Sequence, residues 1–210
     1  MLKSLRPLLT LFILFAFCAQ LVAITSVQAA PPKVVVTFKT LTFNNGTAKY
    51  PVVSGLADKE RQDKINRFML KEARAFMEGA KEAKYASWDA AIAYNKNGLV
   101  SFTAFYDTYF EGAAHGLPGL KGYTFDTASG KQLQLRDLYD VDGEGKVFIN
   151  QEIRRLVTEN DVMLFEPFEN ISANPEYYLI PEYVVIVYQP YEIAPYAAGI
   201  LEFPIPAKSH

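Results

Sequence analysis

Six consecutive residues, Tyr183-Val184-Val185-Ile186-Val187-Tyr188, constrain this chain more than any other stretch. A β-branched and aromatic run without polar alternation describes a strand buried on both faces, so apolar groups must cover it from each side. Pro190 ends the run, because proline cannot donate to a ladder. Pro195 then opens a short turn that Gly199 closes, and Ile200 to Ile205 returns as a second strand. Between the strands, Pro190, Tyr191, Glu192, Pro195 and Tyr196 form a stiff, aromatic surface that suits contact better than catalysis.

The rest of the chain supplies the partners that such a strand needs. Lys33 to Phe43 alternates, with Val34, Val36 and Phe38 on one face, and Asn44-Asn45-Gly46 turns it into a second strand at Tyr50-Pro51-Val52-Val53, expected at a sheet edge because of its proline. Asp58 can cap a helix whose Ile65, Phe68, Met69, Ala73, Phe76, Met77 and Ala80 recur three and four residues apart. Successive hairpin patterns follow: Trp88 to Tyr94, Leu99 to Phe110 after Asn97-Gly98, Lys121 to Asp126, and Lys131 to Leu135 after Ser129-Gly130. A second helix is expected over Gly145 to Thr158, and loop over Glu166 to Pro175. The expected class is α+β, with a largely antiparallel sheet and two amphipathic helices packed on it.

The N-terminus points to export. Lys3 and Arg6 precede an apolar stretch from Leu8 to about Ile24, and Val27-Gln28-Ala29 offers small residues for cleavage before Ala30. The division expected is residues 1–29 as a signal peptide, or an uncleaved anchor, and residues 30–210 as one domain. Loss of residues 1–29 removes Lys3, Arg6 and the single cysteine, Cys18, and no acid, which shifts the formal charge from −2 to about −4. Such a domain has no disulfide and must be stable from its core alone. Its mild acidity, without a basic run, excludes nucleic acid as the expected partner and is compatible with a cationic protein.

Catalytic signals are sparse. Beyond residue 29 the chain carries only His115 and His210, no thiol and no Gly-x-Ser-x-Gly elbow. The glycines at 112, 116, 119 and 122 fit neither a dinucleotide fingerprint nor a P-loop, so no cofactor is expected. Asp137, Asp140, Asp142 and Glu144 crowd oxygen ligands near Gly143, yet miss the EF-hand spacing and read more simply as a solvated turn before a helix. His115, in Gly112-Ala113-Ala114-His115-Gly116 between two strands, is a candidate contact residue. Its alternative role is fixing the turn by a side-chain hydrogen bond. For Tyr191, Glu192 and Tyr196 the alternative is corner packing, with their polar atoms satisfying loop amides.

His115-Gly116, the segment Tyr123 to Tyr139 (YTFDTASGKQLQLRDLY) and the ending from Gln189 to Ile205 together resemble the exported RsiV-like domain of bacteria. That family includes the sensor portion of a lysozyme-responsive anti-sigma factor and a non-catalytic module attached to peptidoglycan deacetylases. The resemblance runs from about Val34 to Pro206 and implies an α+β binding module at the cell envelope, for lysozyme or wall glycan, with no catalytic residue transferred. It departs at Ala113, where the family pattern has glycine, which predicts a differently shaped loop. Only six residues precede the apolar segment and no deacetylase pattern follows Pro206, so an ectodomain by itself is expected. A carbohydrate-binding module, and an envelope hydrolase using Glu192, His115 or the acidic turn, are the competing readings.

Overall fold

The computed structural model describes residues 34–207, and the expected export segment, residues 1–29, lies outside them. The chain runs β1 (Val35–Phe43), β2 (Gly46–Ser54), α1 (Lys59–Gly79), β3 (Tyr85–Lys96), β4 (Leu99–Tyr109), β5 (Gly119–Asp126), β6 (Lys131–Leu133), α2 (Glu144–Glu159), β7 (Glu176–Ile180), β8 (Tyr183–Tyr188) and β9 (Leu201–Pro206). β1 to β6 form a six-stranded sheet in chain order, and β7 to β9 form a second sheet of three strands. All pairings are antiparallel except β2 with β3. The α+β class and the dominant antiparallel pairing agree with the sequence, while the strands divide between two sheets that each receive one helix.

α1 begins where Asp58 accepts the amides of Glu60 and Arg61 at 2.9 and 3.2 Å. Its Ile65, Met69, Ala73 and Met77 are buried against Trp88, Phe102 and Phe125 of the first sheet, with Phe68 set edge-on to Tyr123 and Phe125. α2 places Ile149 and Ile153 in a second core with Ile186, Tyr188, Phe203 and Ile205. The unbroken apolar run of β8 is explained by its two neighbours. Val184, Ile186 and Tyr188 join the core under α2, whereas Val185 and Val187 pack with Leu120 of β5. The hairpin at Asn97-Gly98 has φ of 54° and 77°, the positive pair that a two-residue turn of type I′ requires.

One strand departs from expectation. Tyr50 to Val53 pair with β1 alone, as an edge does, but β2 begins earlier than expected and its first half, Gly46 to Lys49, pairs in parallel with Ala86 to Asp89 of β3. Pro51 is tolerated because that pairing has already ended, and β1 supplies the neighbour on the other side. A parallel pairing reached through a helical crossover leaves no local turn signal, which is why hairpin reasoning missed it. Leu135 likewise leaves the expected strand, since β6 stops at Leu133 and Leu135 opens a 3₁₀ turn that buries it in the second core.

The two sheets meet at β4 and β5. The hydroxyls of Ser101 and Thr124, both buried, lie 2.9 Å apart, and Ser101 Oγ accepts the Leu179 amide of β7 at 3.1 Å. β6 pairs only with Thr124 to Asp126, which leaves the outer edge of β5 open at Leu120 and Gly122. The Gln189 carboxamide fills the first opening, accepting from Leu120 N at 2.9 Å and donating to Leu120 O at 2.7 Å. The Glu176 carboxylate fills the second, accepting from Gly122 N at 2.8 Å. The same carboxamide device recurs where Asn66 of α1 holds both backbone groups of Val53 and where Asn95 holds both of Val34.

Two expected outcomes follow from this junction. A side chain at Gly122 would place its Cβ 1.8 Å from the carbonyl oxygen of Tyr177, which is backbone and cannot swing away. Gly122→Ala should therefore destabilise the fold by about 3 kcal/mol, measurable by thermal denaturation, and an unchanged midpoint would mean that β7 does not lie against β5. Glu176 is held above the usual carboxylate range, first by burial and then by the Glu192 and Glu72 carboxylates, against the opposing Gly122 amide and Lys121. Its folded state thus binds a proton more readily than the unfolded chain, so this carboxyl contributes stability at low pH that is lost as pH rises through its raised folded value. Glu176→Gln keeps an acceptor for Gly122 and should raise the melting temperature near pH 7 while changing it little near pH 4. An equal shift at both pH values would remove the electrostatic explanation.

Candidate functional site

The residues singled out in the two loops come together in space. The His115 ring stacks on Tyr196 with centroids 3.8 Å apart and planes 21° apart, and Tyr191 lies against both rings at 6.4 and 5.4 Å. Polar contacts lock the arrangement. His115 Nδ1 is 2.8 Å from Gly116 O, the Tyr196 hydroxyl donates to the same carbonyl at 3.0 Å, and the Tyr191 hydroxyl stands 3.3 Å from His115 Nε2. A carbonyl can only accept, so Nδ1 carries the proton in the contact with Gly116.

Local backbone explains how the rings are presented. The loop leaves β8 at Gln189, whose side chain is already tied to Leu120. Tyr191 has φ of 70°, a left-handed conformation uncommon for a bulky residue, and its side chain is 53% exposed. Glu192 holds the bend by accepting the Gln189 amide at 2.8 Å, while its own amide donates to Gln189 O at 3.0 Å. Pro190 is buried and shapes the loop from beneath. Pro195 precedes a 3₁₀ turn over Tyr196–Ala198 that Gly199 ends at φ of 69°. Glu192 therefore satisfies a loop amide, as the packing alternative anticipated, whereas Tyr191 and His115 remain exposed on the stack.

On the His115 side, the positive φ that the loop requires falls on Gly112, at 81°, and Ala113 has no positive φ. The alanine that departs from the family pattern is thus accommodated without left-handed backbone. Gly116 is the sterically constrained position. A Cβ there would come within 2.7 Å of Asp107 Oδ1, a buried atom without a hydrogen-bond partner among the described residues. Asp107, Gln189 and Tyr188, whose buried hydroxyl also lacks a partner and is pushed well above the usual phenol range by burial, escaped sequence reasoning. Nothing in the local pattern marks them out, since Asp107 and Tyr188 are strand residues and Gln189 begins a loop.

The acidic turn is engaged locally. Asp137 binds Lys131 Nζ at 2.8 Å and the Gln134 amide at 2.8 Å, which hold its carboxyl below the usual range, and Asp140 accepts the Gly143 amide at 2.8 Å. Among the described residues no three metal-ligating side chains converge. No helix among them is long and apolar enough to cross a membrane.

Comparison with known proteins assigns the two parts of the chain. Residues 40–118 match the family model described as deacetylase PdaC, and residues 137–208 match a protein family of unknown function, DUF3298. The chain is 25% identical over 182 residues to the anti-sigma-V factor RsiV of Bacillus subtilis strain 168, an alignment that covers 75% of this chain. It spans 61% of that relative's length. A crystal structure of a DUF3298 family member from Bacteroides fragilis NCTC 9343 superposes with a TM-score of 0.60 at 15% identity, covering 82% of this chain and 90% of that one. One from Pseudomonas aeruginosa PAO1 gives 0.56 at 20% identity, covering 84% and 92%. Those two likenesses establish the fold, and the sequence matches to both family models and to RsiV support an RsiV-like domain.

Proposed function

We propose that the chain is an exported, non-catalytic binding module of the cell envelope, and that the stack of His115, Tyr191 and Tyr196 is its contact surface for a protein partner of the lysozyme type. The observation that carries this reading is Tyr191, a large aromatic side chain 53% exposed and held in a strained left-handed conformation by a loop tied to β5. Strain of this kind persists only where surrounding structure over-determines it, and it recurs at functional sites. A preorganised aromatic anchor lowers the ordering cost of association. Similarity to RsiV, by name an anti-sigma factor, supports a protein as partner. In this reading residues 30–210 act as one domain, because side chains of the second sheet complete the edge of the first.

A second reading, a peptidoglycan-binding module, draws on the same exposed ring of Tyr191, since a tyrosine face can stack on a sugar. The two readings separate by capture of a c-type lysozyme on the immobilised chain, run beside capture of the chain by insoluble peptidoglycan. Tyr191→Ala and His115→Ala should each weaken lysozyme capture by about 2 kcal/mol, roughly thirty-fold, with melting temperatures near the parent's. Capture by peptidoglycan alone would favour the glycan reading. Equal lysozyme binding by parent and both variants would reduce the stack to scaffold, and turnover of either material would restore an enzyme.

A further inference from the structure

A second feature lies around the start of β5 from the aromatic stack. Between α1 and the strands β4 and β5 is a cleft of about 290 Å³, lined by Glu72, Phe76, Trp88, Tyr106, Lys121 and Tyr123. Tyr106 lies across Gly119, where a Cβ would meet its ring at 2.1 Å, so the glycine makes room for the aromatic wall. Phe76 packs on Tyr106 at 5.6 Å, and Trp88 on Tyr123 at 6.2 Å. The volume is just under the roughly 300–1,000 Å³ of pockets that hold drug-sized ligands, which suits a single side chain or one sugar ring.

Charge decides between those two. Among the described residues Glu72 accepts only the Tyr123 hydroxyl, at 3.2 Å, leaving most of its lone pairs open. Glu176 stands behind the wall on Gly122, between the lining residues Lys121 and Tyr123. Burial comes first among the causes that push the Tyr106 and Tyr123 hydroxyls above the usual phenol range. After it come carboxylates: Glu176 and Glu192 at Tyr106, and Glu72 and Glu176 at Tyr123. The ion pairs among the described residues engage none of Glu72, Glu176 and Glu192. Aromatic rings beside Glu72, a lining carboxylate that no ion pair among the described residues engages, complement a cation rather than a neutral sugar, which needs donors as well as acceptors. Lys121 is the one cation on the lining, and its charge is felt at Glu176.

We propose that this cleft receives one basic side chain, a lysine ammonium or an arginine guanidinium, from a cationic protein partner. The proposal rests on the protein-partner reading above and adds the chemistry by which such a partner is recognised. Glu192 links the two features: it belongs to the aromatic loop, and its charge reaches Tyr106 of the cleft.

Trp88 is the only tryptophan in the chain and lines the cleft, so its emission reports occupancy directly. The full chain is titrated with an oligoarginine peptide at low ionic strength. The expected result is a saturable change in Trp88 emission that weakens with added salt. Glu72→Gln should weaken the peptide about ten-fold, and Lys121→Gln, which removes the competing ammonium from an exposed position, should strengthen it about three-fold. A gain of affinity cannot arise from unfolding, so the second variant stands even where the first proves unstable. No response, an equal response from both variants, or a response to a neutral chitin oligosaccharide in place of the peptide would overturn the assignment. Capture of lysozyme through Tyr191 without any Trp88 response to the peptide would sink this inference alone. A Trp88 response with no lysozyme capture would sink the lysozyme reading and leave the cation-binding cleft standing.

Discussion

The two halves of the molecule are held in register at the outer edge of β5. β6 is only three residues long, so Leu120 and Gly122 would otherwise present unpaired backbone groups close to the second sheet. An unsatisfied buried backbone group costs about 1–3 kcal/mol, more than a single made hydrogen bond contributes, so the edge must be completed by something. Gln189 from the end of β8 and Glu176 from the start of β7 complete it. Because Gln189 is also the first residue of the aromatic loop, the bond that joins the sheets sets the point from which Pro190 to Tyr196 departs. The position of the rings is thus a consequence of how the edge was closed.

The match of family models to the chain gains meaning from this arrangement. The PdaC-type match ends at residue 118, immediately before β5, and the DUF3298 match begins at residue 137, after β6. The strand that carries the junction falls in the interval between them. His115 lies in the first matched part and Tyr191 and Tyr196 in the second, so their stack joins residues that neither part contains alone.

Elements with a local cause were legible in the sequence. Asp58 and the spacing from Ile65 to Ala80 specified α1, Asn97-Gly98 specified its hairpin, and the unrelieved run from Val184 to Val187 specified a strand covered on both sides. Elements with a distant cause were not. The parallel pairing of β2 with β3 depends on a crossover through α1, and the division into two sheets depends on Ser101, Thr124 and Gly122, small residues whose role appears only when β7 lies against them. The candidate loops were recognised by composition, as rigid aromatics and a lone histidine. Their meeting, and the left-handed backbone of Tyr191, rest on contacts between residues about eighty positions apart.

The three carboxamides that grip backbone have a consequence for how the protein behaves among its own kind. A strand that leaves its ladder exposes donor and acceptor together, and any extended segment of another chain can template on that pair. Asn66 at Val53, Asn95 at Val34 and Gln189 at Leu120 each occupy both groups with a side chain that carries no onward strand. Pairing stops there instead of propagating. Because residues 34–207 contain no cysteine, such plugs offer protection against self-association that does not depend on oxidation.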